Sequence, residues 1–284
     1  MKKLLLTSLS TAFFYAASAQ NAINVSGASF TLPLVEKWVS EYVKENPKSN
    51  LIVTSDRQSI ANARVVLSTD PSSKSVARFL VLPIANADNS LLQSKKIRKG
   101  INEETERELF VKNDDIEAIY EERERKEIHS NVYTLAGNQN VTTALFARLL
   151  HTNPGKLKGR KILGSEDKAL AAVKKDNEAL SFNVANLIYN KDNRRPVEGI
   201  AVIAPDINGN GRVSEEERQA VSDIDALISY VENVGAAGLA IGSIEIQTND
   251  PALADFAQWV SDHGQSFLNE YGFLRSENQA QAQR

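Results

Sequence analysis

The sequence has no cysteine among its 284 residues. That excludes disulfides, thiolate metal centres, thiol catalysis and a lipid-modified cysteine behind a leader peptide. Histidine is nearly as scarce, and His129, His151 and His263 lack the spacing of metal ligands, so all three read as non-catalytic. No phosphate-cradling loop or dinucleotide fingerprint occurs. Gly27-Ala28-Ser29 lacks the second glycine of a nucleophile elbow. Paired acids are common but fall mostly in charged helical stretches, as solvated surface does, rather than as a glycosidase pair. Excess positive charge is missing too: 33 Lys and Arg stand against 36 Asp and Glu, so nothing electrostatic points to nucleic acid. Beyond residue 20 no apolar run approaches the ~20 residues of a membrane-spanning helix.

What is present begins with a leader. In "MKKLLLTSLSTAFFYAASAQ", Lys2 and Lys3 form a positive n-region, Leu4 to Tyr15 a short apolar stretch, and Ala17-Ser18-Ala19 an A-x-A cleavage site. The expectation is a signal peptide over 1–19, cut after Ala19, with Gln20 first in the mature chain. Its removal takes two lysines and leaves 31 basic against 36 acidic residues. An exported chain without disulfides suits a Gram-negative periplasm. A soluble periplasmic monomer, not inserted in a membrane, is expected.

The sharpest motif is "PDINGNGRVSEEER" (205–218). Asp206, Asn208, Asn210, Gly211 and Glu217 match D-x-[DN]-x-[DN]-G-x5-E, the calcium loop of an EF-hand. Calcium takes oxygen ligands. Asp206, Asn208 and Asn210 would give side-chain oxygens, Arg212 its carbonyl, Ser214 a direct or water-mediated contact, and Glu217 both carboxylate oxygens. Gly211 permits the sharp turn, and Val213 fills the usual apolar position. "SEEERQAV" reads as a helix, but "GIAVIAP" before the loop reads as a strand, so this is half an EF-hand. A sensor needs two helices to swing apart; the expected cofactor is therefore a structural Ca2+.

Elsewhere strand-like and helix-like runs alternate. "NLIVTS" (50–55), "ARVVLS" (63–68), "ARFLVLPIA" (77–85), "NVYTLAG" (131–137), "RKILG" (160–164), "ALSFN" and "GIAVIAP" (199–205) have strand character. Val35, Trp38, Val39, Tyr42 and Val43 mark a helix face behind Pro33, and Leu253, Phe256, Ala257 and Val260 another behind Asp250-Pro251. Ser165 is placed to cap a helix carrying Glu166 and Asp167 in its first turn. Such Val-, Ile- and Leu-rich strands between helices suggest a mainly parallel, covered α/β sheet. Residues 102–127 are charge-dense, with seven charges in a row from Glu121 to Glu127, and read as a solvated helix plus linker.

Four segments carry a resemblance. "VSGASFTLPLVEKW" (25–38), "ARFLVLPIANADNSLLQ" (77–93), "NVTTALFARLL" (140–150) and "FAQWVSDHGQSFLNEYGFL" (256–274) stand in the order found in phosphate-type periplasmic solute-binding proteins. The chain resembles that family over most of its mature length, and a branch with a calcium loop most. The resemblance implies a two-lobed type II periplasmic-binding-protein fold, with mixed sheets covered by helices. Lobe 1 would comprise 20–128 and 235–284, and lobe 2 would comprise 129–234 with the calcium loop. It implies a non-enzymatic protein that holds an oxyanion, phosphate first, and delivers it to the membrane subunits of an ABC transporter. By position, Ser29 and Phe30 fall where the family binds phosphate from one lobe. Asn140, Val141 and Thr142 fall where it uses Ser-Gly-Thr, and Thr69 or Asp70 near its cleft acid. Two parts of the pattern are missing: the Gly-rich turn after the second strand, replaced by "VTSDRQSIANARV", and an arginine before the Ser-Gly-Thr position, where "TLAGNQNV" stands. These departures imply weaker phosphate binding than is usual in the family. They keep open an interaction protein on the same fold, without a small ligand, serving a cell-envelope complex.

Overall fold

The structure is a computed structural model; it describes residues 21–26, 28–56, 61–70, 74–112, 130–136 and 140–276. The leader with its Ala19 site, the charged run 121–127 and His129 lie outside the described residues. The strands are β1 (Asn21–Asn24), β2 (Leu51–Thr54), β3 (Ala63–Ser68), β4 (Ser75–Asn86), β5 (Asn131–Leu135), β6 (Arg160–Ile162), β7 (Ala179–Val184), β8 (Ile200–Val202) and β9 (Ala240–Thr248). The helices are α1 (Leu32–Glu45), α2 (Glu103–Phe110), α3 (Val141–Leu149), α4 (Glu166–Lys174), α5 (Ala185–Ile188), α6 (Glu215–Ala220), α7 (Ile224–Val234) and α8 (Pro251–Asp262). No helix among the described residues is long and apolar enough to cross a membrane.

The strands join in the order β2-β1-β3-β9-β4-β7-β5-β6, with β8 also paired to β4. Pairs on the flanks are parallel: β1 with β2 and β3, β5 with β6 and β7. Every pair made by β4 or β9 is antiparallel. The expectation of a mainly parallel sheet is corrected to a mixed one. Its basis was apolar strand composition, and that follows burial on two faces. Among the twelve residues of β4 only Arg78 is not fully buried, so its sequence reads as a covered strand whichever way its partners run.

β4 is the hub. Ser75 to Val81 pair with β9, Val81 to Ala85 with β7, and Ile84 to Asn86 with β8. The chain end returns to it, since Arg78 and Leu274 exchange both backbone bonds at 2.9 Å. Helices cover the sheet through the stripes visible in the sequence. In α1, Leu34, Val35, Trp38, Val39 and Tyr42 are buried. The Trp38 indole donates to the Gly264 carbonyl at 2.9 Å, tying α1 to the turn after α8. Phe110 of α2, Phe146 of α3 and Phe182 of β7 form an aromatic cluster, with centroids 4.1 to 6.2 Å apart. Short bridges Val111–Leu157 and Ile101–Pro205 hold the stretch after β4 against the later chain.

Candidate functional site

The calcium-type loop follows β8. Its backbone bends at Gly209 (φ 72°) and Gly211 (φ 86°), the left-handed region that glycine enters without a Cβ penalty. The side chains then stitch the loop from inside. Asp206 accepts from the Asn210 N–H at 3.1 Å and from the Gly211 N–H. Asn208 Oδ1 accepts from the same Asn210 N–H, and Asn210 Oδ1 from the Arg212 N–H, both at 3.0 Å. Glu217 is fully buried; its Oε1 accepts from the Asn208 N–H at 3.0 Å and its Oε2 from the Ser214 N–H at 2.7 Å. Ser214 Oγ accepts in return from the Glu217 N–H at 3.2 Å, a capping box that starts α6.

Neighbouring backbone clamps this loop. Asp206 N–H donates to the Ile101 carbonyl and Gly238 N–H to the Ile207 carbonyl, each at 3.0 Å. Asn102 Nδ2 donates to the Gly211 carbonyl at 3.3 Å. A Cβ on Gly238 would lie 1.9 Å from the Asp206 carbonyl oxygen, so only glycine allows this approach. The predicted ligands Asp206, Asn208, Asn210, Arg212, Ser214 and Glu217 therefore share one loop. Asp206 and Glu217 are buried carboxylates whose hydrogen-bond partners here are neutral N–H groups. Their negative charges suit a dication, and the donor set of two carboxylates with amide, carbonyl and hydroxyl oxygens suits calcium. No cluster of three or more His, Asp or Glu arranged to hold a metal occurs among the described residues.

The residues assigned to an anion fall in three places. Ser29 and Phe30 open the 3₁₀ turn Ser29–Thr31 ahead of α1. The Phe30 ring is buried against Phe79 and Phe273, with centroids at 5.1 and 6.3 Å, and its carbonyl accepts from Asn186 Nδ2 at 2.8 Å. Asn140 caps α3, its Oδ1 accepting from the Thr143 N–H at 2.8 Å. Val141 is half-buried and Thr142 fully buried. Phe79 links the two segments: its ring packs tilted at 60° to that of Phe30, and both it and Leu145 of α3 crowd the Cβ position of Gly242. Asp70 stands apart. It pairs at 2.7 Å with Arg148, in the last turn of α3, whereas Asn140 and Thr142 belong to its start.

Sequence reasoning missed one acid at this helix start. Glu166 Oε1 accepts from Thr142 Oγ1 at 2.9 Å and from Asn140 Nδ2 at 3.2 Å. Glu166 is buried and sits in the first turn of α4. Its sequence position signals a helix-start acid and not this tertiary role. Ser165 does occupy the N-cap position, but its side chain makes no capping hydrogen bond, which corrects that expectation.

A cavity of about 750 Å³ lies elsewhere, lined by none of the six anion residues. Its walls are α2, the end of α3, Asp206, Gly209 and Gly211 of the loop, and the stretch 236–243. Glu106 of α2 lines it with only 3% of its surface exposed. Burial first, and then the nearby charges of Glu103 and Asp206, push the Glu106 carboxyl up to about 8.

Neither the protein-family models nor the curated proteins contain a match to this chain. Solved structures do. A candidate phosphate ABC transporter substrate-binding protein with bound phosphate, from Clostridium perfringens, superposes with a TM-score of 0.58 at 10% identity, covering 90% of this chain and 99% of that one. An ABC-type phosphate transport receptor from Vibrio cholerae gives 0.54 at 10% identity, covering 90% and 100%. These likenesses establish the fold: a mixed α/β fold of the periplasmic-binding-protein type, its sheet surrounded by helices.

Proposed function

We propose that this chain is a periplasmic solute-binding protein that holds an oxyanion, phosphate first, and hands it to an ABC transporter. The observation that carries this is the fold, shared over 90% of the chain with two proteins described as parts of phosphate transport. The proposed ligand sits between the start of α1 at Ser29 and Phe30 and the start of α3 at Asn140 to Thr142. Helix starts leave backbone N–H groups unpaired within the helix and carry partial positive charge, which suits an anion. Two lobes would close on it. Since 87–112 packs on the later chain through Ile101–Pro205 and Val111–Leu157, the proposed first crossing is β4 rather than residue 128. The calcium-type loop is proposed as a structural Ca2+ site, supported by its two buried carboxylates. Export with cleavage after Ala19 and the absence of enzymatic activity belong to the same reading.

A second reading rests on Glu166. Its carboxylate takes the Thr142 hydroxyl and the Asn140 amide, the donors an oxyanion would use. Two unit charges 4 Å apart repel by about 4 kcal/mol at an effective dielectric of 20. A chain whose own acid fills the donor set is one that has given up a small ligand and serves through its surface. Calorimetry with phosphate, sulfate and molybdate at fixed ionic strength decides. Heat with phosphate, reduced in Thr142→Val, supports the transport reading. Silence in the wild type, with binding gained in Glu166→Gln, replaces it with the second.

A further inference from the structure

Glu106 has no role in either site, and its surroundings are specific. Its side chain is almost wholly cut off from solvent, lines the 750 Å³ cavity, and has no hydrogen-bond partner among the described residues. Burying a carboxyl without a partner is costly, so a cavity built around one is built for whatever pairs with it. The volume falls within the range of small-molecule pockets, ~300–1,000 Å³.

The other charges on the walls narrow the class of ligand. The basic groups already have partners: Arg107 donates to the Leu150 carbonyl, Arg148 pairs with Asp70, His151 with Glu103, and Arg78 donates to the Arg275 carbonyl. These pairings take up part of the basic charge, and none of them reaches Glu106. Glu103, one helical turn before Glu106 on α2, lies close enough to act on it, and its charge favours a cation beside it. Leu145, Leu239 and Ile241 give the cavity an apolar side, beside Ala236, Ala237, Gly238 and Ala240.

We infer that this cavity is a second ligand site, which takes a small organic ammonium compound with an apolar body and holds its N–H groups on Glu106. A charge-assisted N–H···O bond is about twice as strong as a neutral one, and here it satisfies an acid that otherwise stays unpaired. The site shares none of the proposed anion site's residues and meets them through the Arg148–Asp70 pair.

The test uses hexylammonium, hexanol and hexanoate as probes, titrated calorimetrically into the calcium-saturated protein at fixed ionic strength and at pH 9, where Glu106 has released its proton and the amine keeps its own. Hexylammonium is expected to bind, and the other two are not. Glu106→Gln should weaken hexylammonium at least tenfold while Glu104→Gln, which removes an exposed acid of the same wall, changes it less than twofold. Melting curves establish that both variants are folded, and Leu145→Met, which alters the apolar wall without touching an acid, should shift affinity if a variant of Glu106 proves unstable. Three results overturn the proposal: no heat with hexylammonium, hexanol binding as well as the amine, or Glu106→Gln binding it undiminished. Loss of calcium stoichiometry in Glu106→Gln also overturns it, because the acid would then serve the metal. Phosphate titrations of Glu106→Gln stand apart from these outcomes and report on the transport reading alone.

Discussion

At the scale of single residues, the acids that matter are those removed from water. Glu106 in the folded protein holds its proton up to about pH 8, against an ordinary 4.5, because burial and two neighbouring acids disfavour its charge. Between those values the folded state keeps a proton that the unfolded state has released. Stability therefore falls as pH rises through that window and levels off above it. Each tenfold difference in proton affinity is worth about 1.4 kcal/mol, so the loss amounts to a few kcal/mol. Glu106→Gln has no proton to lose. In chelator, urea midpoints of the variant should stay level from pH 5 to pH 9 while those of the wild type decline; parallel profiles would contradict this. Asp206 answers a different question. It accepts from the Asn210 and Gly211 N–H groups, which an asparagine oxygen can partly retain, so Asp206→Asn removes charge with little damage to the loop. Calcium at a hundredfold excess over its Kd should stabilise the wild type by ~2.7 kcal/mol, raising Tm by roughly 5–10 °C, and Asp206→Asn should abolish that rise. Equal melting of wild type with calcium and with chelator would remove the metal from the account. The turn of the loop was legible because it is encoded locally, in the glycine and the side-chain acceptors of five constrained positions. Glu166 and Glu106 were not, since the significance of the first comes from Thr142 and Asn140 and that of the second from burial and Asp206, all brought in by packing.

At the scale of elements, periodicity carried the helices. The α1 face of Val35, Trp38, Val39 and Tyr42 is buried as its spacing requires, and α8 begins at Pro251 behind Asp250. Strand positions were legible from their apolar runs, whereas strand direction was not, because a side chain covered on both faces reports burial and not the polarity of its neighbour. Glycines test the element packing. A Cβ on Gly242 of β9 would meet the Phe79 ring at 2.3 Å and Leu145 at 2.7 Å, with no unusual backbone angle involved. A Cβ on Gly211 meets nothing within 4 Å, but φ there is 86°. Gly242→Ala should therefore cost about 1–3 kcal/mol through overpacking of α3 on the sheet. Gly211→Ala should cost about 1–2 kcal/mol through the backbone alone. Adding Phe79→Leu should recover much of the first loss and none of the second. Denaturant unfolding of the four variants measures this directly, and equal rescue of both would show that the contact at Gly242 is not the cause.

At the scale of the whole molecule, the resemblance in the sequence led to the right fold where composition alone gave an incomplete one. The packing of 87–112 is set by contacts such as Ile101–Pro205 that no local pattern announces. The central position of β9 has a further consequence, in time rather than in space. β9 lies between β3 and β4, yet it is encoded about 160 to 185 residues after the positions it pairs with. A ribosome adding about 5–20 residues per second leaves those two apolar strands without their shared neighbour for on the order of ten to forty seconds. Throughout that interval their edges are open to pairing with other chains. The sheet is closed by one of its last-made parts, so an emerging chain stays unfinished almost until release, in the state that an exporting machinery or a chaperone can still handle.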